Sequence, residues 1–202
     1  DFLLPAPLVP RNERFVLDER IDAHGRVLKE IEDAELEALV DTVLGGGFES
    51  VAIGLIHSYV NGEHERRVRD ALLARKPDLF VSISSEVSPQ MREFQRFNTV
   101  CANAYVKPLM ASYLRRLTDS LQAAGTTCPV FMIHSGGGII SVESAIEFPV
   151  RLLESGPAGG AIFAAHIARQ HGLERVLSYD MGGTTAKICL IDNQVPKTAK
   201  TF

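Results

Sequence analysis

Short apolar runs alternate with amphipathic segments along most of this chain, and this alternation constrains the fold more than any other feature. Four runs are short enough to be buried strands: 51–57, 79–83, 129–133 and 176–181. Helical periodicity separates them, most clearly over 36–44 and 63–74. This order predicts an α/β fold with a mixed, mostly parallel sheet that helices cover on both faces. Two details go with it. One is a hairpin with strands at 14–17 and 26–28 around a turn at Ala23–Gly25. The other is an antiparallel final pair of strands joined by two glycines.

The segment after residue 88 carries the longest helical pattern in the chain. Ser88-Pro89 is a typical helix start, because proline suits the first helical position. Pro108 interrupts the pattern, which predicts two helices or one helix kinked near Lys107. The predicted buried face carries Met91, Phe94, Phe97, Cys101, Ala104 and Tyr105. The predicted solvated face carries Arg92, Glu93, Arg96 and Asn98.

Composition excludes several classes of protein. With 46% hydrophobic and 23% charged residues and a formal net charge of -4, the chain is typical of a globular protein, and nothing in its charge favours nucleic acid or an anionic membrane as a partner. The longest apolar stretch, 156–168, is too short to cross a bilayer. Three widely spaced cysteines predict no disulfide framework and favour a cytoplasmic location. The sequence starts at Asp1 without an initiator methionine and ends at Phe202 just after a predicted strand, so we expect a piece of a longer polypeptide.

The turn between the last two predicted strands is the strongest candidate for chemistry. An apolar strand leads to Asp180, Gly182 and Gly183 follow, and Thr184 and Thr185 precede the next strand. Glycine amides without neighbouring side chains can point at a phosphate, and the hydroxyl groups add short donors. Asp180 could hold Mg²⁺ directly or through water, or orient a nucleophile. The alternative interpretation is a plain hairpin turn with an exposed carboxylate.

A second glycine-rich segment, 155–160, opens a helix of small residues. Ser155 or Gly156 is predicted to cap that helix, and free amides at a helix start attract anions. Gly159 and Gly160 would equally serve tight packing of the helix against a sheet, which is the alternative explanation.

A third glycine-rich segment contains Ser135, Gly136 and Gly137. It follows a predicted strand and precedes a predicted helix, the position at which α/β sheets place ligands. Neither the nucleophile elbow nor the Walker pattern is present in the chain. A glycine-rich turn without any catalytic duty explains the segment equally well.

Four phrases, in this order and spacing, resemble the hydantoinase A / oxoprolinase family: Arg92 to Arg96, Asn103 to Pro108, Ser155 to Gly160, and Asp180 to Thr185. The resemblance covers essentially the whole chain and includes Leu55 to Tyr59 and His64-Glu65. One departure stands at Lys187, where many relatives have an acidic residue. A cation there could bind a phosphate or carboxylate, or simply extend into solvent.

The resemblance implies a ribonuclease-H-like, actin-like ATPase fold in two lobes, of which this chain holds a part. Residues 1–98 would be the C-terminal part of the first lobe, and 99–202 the start of the second lobe with its phosphate-binding hairpin. ATP and Mg²⁺ are the implied cofactors, with Asp180 as metal ligand. A small cyclic amide is the implied substrate and a hydantoinase B-type subunit the implied companion. A glycine–threonine phosphate motif of the first lobe would lie upstream of Asp1.

The resulting prediction is an ATP-dependent amidohydrolase that opens a hydantoin, N-methylhydantoin or 5-oxoproline-type ring. Phosphorylation of the amide oxygen would turn a poor electrophile into one that water attacks. The alternatives are an ATP-dependent carboxylase subunit, a kinase-like phosphotransferase and a non-catalytic nucleotide-binding lobe. His57 and His134 are candidate bases by residue type alone. Residues 1–202 by themselves are expected to show no turnover, because one phosphate loop is missing.

Overall fold

A computed structural model describes residues 6–197 of the chain. Two compact units divide it, Asp1–Tyr113 and Leu114–Phe202. The chain ends, on which the expectation of a longer polypeptide rests, lie outside the described residues. The predicted lobe boundary at residue 98 stays a prediction.

Unit 1 is built from four strands and four helices. Its strands are β1 (Arg20–Ile21), β2 (Val27–Lys29), β3 (Ser50–Ile53) and β4 (Phe80–Ile83). Its helices are α1 (Asp33–Gly45), α2 (Glu63–Arg75), α3 (Ser84–Val87) and α4 (Glu93–Ala123), the last of which continues into unit 2.

The parallel pair β3–β4 lies at the centre of unit 1. Its register runs from Ser50 opposite Phe80 to Ile53 opposite Ile83, and α2 forms the crossover between the two strands. Gly62 is the N-cap residue of α2, and the Asn61 side chain just before it supports the helix start, because its Oδ1 accepts a hydrogen bond from the Glu63 amide at 3.0 Å. The core around the pair consists of buried side chains from α1, α2 and the two strands: Leu36, Val40, Val43, Ile53, Val68, Leu72, Leu79, Val81 and Ile83.

The predicted hairpin near residue 24 is present, but its first strand is shorter and later than expected. It runs over Arg20–Ile21 and not over 14–17, because Asp22 closes the turn directly. The Asp22 carboxylate accepts hydrogen bonds from the backbone amides of His24 and Arg26, each at 2.9 Å. These bonds, above all the one from the Arg26 amide, and the Arg26 side chain lower the pKa of Asp22 to about 2.

Helix α4 begins at Glu93, so the predicted start at Ser88-Pro89 is wrong. The backbone carbonyls of Gln90 and Met91 accept hydrogen bonds from Arg96, which holds the preceding segment outside the helix. Past Lys107 the helix is continuous, with Pro108 inside it. Proline has no amide hydrogen to donate to the Ala104 carbonyl. The hydroxyl of Ser50 donates to that carbonyl instead, at 2.8 Å.

The buried face of α4 is also not the one that hydropathy predicts. Met91, Phe94 and Tyr105 are exposed. The buried side chains recur at helical spacing but include three polar residues: Arg96, Val100, Asn103, Ala104, Lys107, Ala111 and Leu114. Polar side chains can occupy a core when protein groups satisfy them, and hydropathy carries no record of such partners.

Unit 2 contains five strands in antiparallel sheets and two helices. Its strands are β5 (Phe131–Ile133), β6 (Ile139–Ser141), β7 (Arg175–Met181), β8 (Ala186–Asp192) and β9 (Val195–Pro196). Its helices are α5 (Val142–Glu147) and α6 (Ser155–Gln170), with a 3₁₀ turn at Pro149–Leu152. Strand β5 pairs with β6, and β7, β8 and β9 form a three-stranded sheet.

The structure confirms the α/β class. Its described strands form four small sheets, of which only β3–β4 is parallel. The reason is connection length: the links within β1–β2, β5–β6 and β7–β8 are too short for the crossover that parallel strands require. Within residues 6–197 no helix is long and apolar enough to span a membrane.

Candidate functional site

The β7–β8 hairpin presents the Asp180–Thr185 segment as the sequence predicts. Asp180 lies opposite Lys187 in the antiparallel register, and Met181 lies opposite Ala186. The Gly182 amide closes the turn by donating to the Thr185 carbonyl at 2.9 Å. Asp180 and the whole turn are exposed, so both are accessible to a ligand.

Neither glycine of this turn is required by packing or by backbone conformation. A Cβ at Gly183 would have no heavy atom of the described chain within 4 Å, and one at Gly182 would approach only the Thr185 carbonyl, at 4.0 Å. Neither residue has the left-handed backbone that excludes other side chains. The open space over both glycines leaves room for a ligand to approach the backbone.

An ion pair connects this hairpin to the start of α6. The Lys187 ammonium group pairs with the Glu154 carboxylate, immediately before the Ser155–Gly160 segment. Lys187 therefore binds a carboxylate of the chain itself. Glu154 is the N-cap residue and has a left-handed backbone, with φ of 63°. The predicted capping by Ser155 or Gly156 is wrong, because the helix already includes both residues.

The sequence left two explanations for the glycines of α6, anion binding at the helix start and tight packing against a sheet, and the structure supports packing for only one of the three. A Cβ at Gly159 would lie 3.3 Å from Ile133 of β5, so tight packing explains this glycine. A Cβ at Gly156 or Gly160 would meet nothing within 4 Å. The first turn of α6 thus keeps an open surface beside the Lys187–Glu154 pair, with free helix amides at its start.

The Ser135–Gly137 segment is the loop of the β5–β6 hairpin and does not lead from a strand into a helix, as the sequence suggested. The loop closes on itself: the His134 amide donates to the Gly138 carbonyl, and the Gly136 amide donates to His134 Nδ1, both at 3.0 Å. The Ser135 amide donates to the Arg151 carbonyl at 2.8 Å. A Cβ at Gly137 would lie 3.6 Å from Ile162, so this loop also borders α6.

Helix α6 therefore brings the three predicted glycine-rich segments into one part of unit 2. It contacts β5, β7 and β8. Two clefts of this unit, of about 290 and 410 Å³, are lined by other residues. The predicted phosphate-binding groups form an exposed surface.

The residues near the turn could bind a magnesium ion that arrives with a nucleotide, but they do not form a metal site composed of protein ligands alone. Among the described residues there is no group of three or more His, Cys, Asp or Glu side chains that could hold a metal. Mg²⁺ at nucleotide sites usually takes one or two carboxylates together with phosphate oxygens and water. Asp180, exposed beside the turn amides, fits that requirement.

Sequence reasoning missed a buried polar cluster in unit 1, formed by Ser58, Glu65, Ser84 and Arg96 and called here the Arg96 cluster. All four residues are buried. Glu65 accepts hydrogen bonds from the Ser84 hydroxyl at 2.6 Å and from the Leu55 amide at 2.9 Å. Arg96 donates to Ser84 Oγ at 3.1 Å and to the Leu55 carbonyl at 2.9 Å. The predicted solvated role of Arg96 is therefore wrong.

Two further polar residues of α4 lie in the same interior. Asn103 donates to the Ser82 hydroxyl at 3.0 Å, and Lys107 donates to the Val81 carbonyl, also at 3.0 Å. Spacing is the signal that could have found this face, because Arg96, Asn103 and Lys107 recur at helical intervals. Each depends on a partner from β4 or from the segment after it.

Comparison with known proteins places this geometry in a family. The hydantoinase/oxoprolinase profile matches residues 96–201, and the profile of the hydantoinase/oxoprolinase N-terminal region matches residues 1–76. Caprolactamase subunit alpha of Pseudomonas jessenii is 33% identical over 91% of this chain and 26% of its own length. The 5-oxoprolinase of Saccharomyces cerevisiae is 30% identical over 89% of this chain and 14% of its own length.

Solved structures give the same result. The crystal structure of the ATP-dependent caprolactamase superposes with a TM-score of 0.84 over 94% of this chain and 28% of that chain, at 33% identity. Nucleotide-free acetone carboxylase, from work on ATP-dependent acetone carboxylation, superposes with a TM-score of 0.82 over 94% of this chain and 27% of that chain, at 29% identity. The chain thus spans less than a third of each relative. It belongs to the hydantoinase/oxoprolinase family.

Proposed function

We propose that this chain is the nucleotide-binding part of an ATP-dependent enzyme that opens a hydantoin, N-methylhydantoin or 5-oxoproline-type cyclic amide. The observation that supports the proposal most directly is the open Gly182–Thr185 turn, which the Lys187–Glu154 pair joins to the exposed start of α6. The relatives support ATP as the energy source and a cyclic amide as the substrate. One relative of known structure is an ATP-dependent caprolactamase, and a relative found by sequence is a 5-oxoprolinase.

Each part of unit 2 has a role in this proposal. The Gly183 amide and the hydroxyls of Thr184 and Thr185 bind the terminal phosphates, and Gly182, whose amide closes the turn, leaves the phosphates room to approach. Asp180 would hold Mg²⁺ beside them, and such an ion would supply positive charge for phosphoryl transfer. The helix start at Ser155, Gly156, Gly159 and Gly160 and the loop at Ser135, Gly136 and Gly137 border the nucleotide.

The need for ATP follows from the chemistry of the ring. An amide carbon is a poor electrophile and its nitrogen a poor leaving group. Transfer of the terminal phosphoryl group to the amide oxygen breaks the bond to ADP and activates the carbon. Water then adds to that carbon, and the ring C–N bond breaks with protonation of the nitrogen, which leaves an acyl phosphate. A second water hydrolyses the acyl phosphate to the carboxylate and inorganic phosphate. The protein contributes by positioning the groups and stabilising charge.

The second candidate is an ATP-dependent carboxylase subunit, and the likeness to acetone carboxylase favours it. Both candidates share the phosphate-binding hairpin and differ in the compound that receives the phosphoryl group. Caprolactamase is described by its alpha subunit, which supports a hydantoinase B-type companion. The division into lobes at residues 98 and 99 and a cytoplasmic location belong to the same proposal.

The decisive experiment measures ADP release by the complete protein with hydantoin, N-methylhydantoin, 5-oxoproline or acetone. We expect a cyclic amide to stimulate ADP release in step with ring opening, and Asp180→Asn to lower that rate by about 100-fold or more. Stimulation by acetone with bicarbonate alone would favour the carboxylase. If Asp180→Asn leaves turnover unchanged, the hairpin belongs to a non-catalytic lobe and the proposal fails.

A matched pair of glycine variants separates ligand approach from folding. A Cβ at Gly183 and a Cβ at Gly45 both meet no heavy atom within 4 Å, so Gly183→Ala and Gly45→Ala should both fold normally. Only Gly183→Ala should weaken ATP binding, by about tenfold, because the new methyl group stands over the turn amides. Equal ATP affinity in the two variants would show that no phosphate lies on this turn.

A further inference from the structure

Several polar side chains lie at the carboxyl ends of the parallel strands β3 and β4. A loop at 54–61 follows β3, and Ser84 and Ser85 follow β4. The carboxyl ends of adjacent parallel strands lie at one edge of the sheet, and α/β sheets bind ligands at that edge. This edge belongs to unit 1, whereas the nucleotide site proposed above belongs to unit 2.

The loop is held in place on both sides of His57. On one side, both backbone groups of Leu55 are bound: its amide by Glu65 and its carbonyl by Arg96, each at 2.9 Å. On the other side, Ser58 Oγ lies 3.1 Å from Ser84 Oγ, and the Asn61 side-chain amide donates to the Gly25 carbonyl at 3.0 Å. Two buried, oppositely charged residues thus serve to position a short loop, which is how functional side chains are commonly supported.

His57 itself is unfavourable for stability in two respects. Its backbone has φ of 59°, a conformation that glycine and asparagine adopt far more readily than histidine. Its Nδ1 atom is buried without a hydrogen-bond partner, and within residues 6–197 the only other such side-chain atom is Ser85 Oγ, at the same edge. Strained residues and unsatisfied polar atoms cluster at functional sites, because folding alone would select against them.

The burial of Nδ1 determines which nitrogen a ligand can reach. An enclosed nitrogen without an acceptor is tolerated better as a lone pair than as an N–H group, so the proton of the neutral ring belongs on Nε2. His57 is only partly buried, and with Nδ1 enclosed, Nε2 is the nitrogen on its accessible side. We propose that this edge is a second ligand site, in which His57 Nε2–H donates a hydrogen bond to the carbonyl oxygen of a small neutral compound.

The charges at this edge select the class of ligand. Glu65 and Arg96 offset each other, and both are engaged with protein groups. What remains for a ligand is the neutral N–H donor of His57, because the Ser58 and Ser84 hydroxyls are buried and bonded and Ser85 Oγ is enclosed. A single neutral donor suits an amide or ketone better than a phosphate. The cyclic amide of the proposed function is a member of this class; that identification rests on the proposed function, whereas the site rests on the geometry alone.

Nuclear magnetic resonance of the histidine ring nitrogens in the complete protein tests the geometry directly. We expect His57 to be the Nε2–H tautomer, and its ring signals to shift when hydantoin, 2-pyrrolidinone or acetone is added but not with inorganic phosphate. A proton on Nδ1, or ring signals that none of the three carbonyl compounds shifts, would overturn the assignment. A shift with phosphate alone would overturn the neutral class of ligand.

Two substitutions of His57 test whether its ring binds a ligand or whether the residue only supports the turn. His57→Gly removes the ring yet accepts φ of 59° without strain, and His57→Asn keeps the backbone and a shorter polar group. We expect hydantoin affinity to fall about tenfold in His57→Gly and less in His57→Asn, with ATP affinity and melting temperature not lowered. The matched control is His24→Gly, at an exposed turn residue of the same unit.

Each outcome of the variant experiment is decisive. Unchanged hydantoin affinity in His57→Gly would show that the histidine serves the turn alone. A joint loss of hydantoin affinity, ATP affinity and thermal stability would show a structural role. Failure of the proposed function is recognised separately, because then no cyclic amide stimulates ADP release, while the ring signals of His57 still respond to acetone or 2-pyrrolidinone.

Discussion

Replacing Arg96 by methionine tests the energetic role of the Arg96 cluster. The side chain is fully buried and donates to Ser84 Oγ, to the Leu55 carbonyl and to the Gln90 carbonyl, the last at 2.7 Å. Methionine fills much of the same volume but donates nothing. Glu65 and Arg96 are linked through Ser84 Oγ, so the buried carboxylate loses a nearby compensating charge and two backbone carbonyls lose a charged donor. Loss of these interactions should cost about 3–5 kcal/mol.

The corresponding change in melting temperature is large enough to measure easily. For a chain of this size, about 1 kcal/mol shifts the melting temperature by roughly 2–4 °C, so Arg96→Met should lower it by roughly 6–20 °C. Urea unfolding followed by far-ultraviolet circular dichroism gives the free energy directly. Arg92→Met is the matched control, at the exposed residue immediately before the same helix, and should stay within about 0.5 kcal/mol of the parent.

A double-mutant cycle shows whether Glu65 and Arg96 act together. Glu65→Gln should cost less in the Arg96→Met background than in the parent chain, by about 0.5–3 kcal/mol, because the unpaired charge is then absent. Strictly additive effects would mean that the two residues stabilise the loop independently. If Arg96→Met lost no more stability than Arg92→Met, the cluster would not have the energetic role assigned to it.

Two further predictions concern unit 1. Gly54→Ala should destabilise the chain by about 1–3 kcal/mol in urea unfolding, because the new Cβ would lie 2.6 Å from the Phe97 ring, whereas Gly45→Ala, which meets open space, should stabilise it by up to about 1 kcal/mol. The pKa of Asp22 is about 2 in the folded chain against an ordinary 3.8, so the ionised carboxylate stabilises the β1–β2 hairpin above pH 4. This stabilisation is lost as the pH falls from about 4 to 2, because the carboxylate becomes protonated. Arg26→Gln keeps the backbone bond but removes the side-chain bond and charge, so carboxyl titration by nuclear magnetic resonance should show a partial rise of the pKa towards 3.8.

Elements governed by local chemistry could be predicted from the sequence. Helix α2 lies within a residue of its predicted bounds, because Asn61 supports its start and its apolar positions repeat regularly. The β7–β8 hairpin was predictable because two apolar strands with a glycine pair between them can only be antiparallel. In both cases the determining residues lie within a few positions of the element they define.

The face of α4 could not be predicted, because its determinants are distant in the chain. Asn103 and Lys107 are buried only because β4 supplies the Ser82 hydroxyl and the Val81 carbonyl. The three glycine-rich segments of the candidate site could be found in the sequence. That the β7–β8 hairpin is joined to the start of α6 could not, because it depends on the pairing of Lys187 with Glu154, which is far away in sequence. His57 was visible only as a residue type, since its strained backbone and enclosed nitrogen are properties of the folded loop.

The hydrogen bond from Ser50 to the carbonyl that Pro108 leaves free also sets where α4 lies along the sheet. A slide of the helix by one turn would leave that carbonyl unpaired. Arg96 lies eight residues before Ala104, about 12 Å along the helix axis. Leu55 lies five residues beyond Ser50 and two past the end of β3, so at most about 16 Å away if the chain stays extended. The two spans are close enough for the guanidinium group to reach Leu55. Pro108 therefore helps to fix the position of α4 at which Arg96 reaches the 54–61 loop. Pro108→Ala should loosen the placement of His57, although the two residues are not in contact.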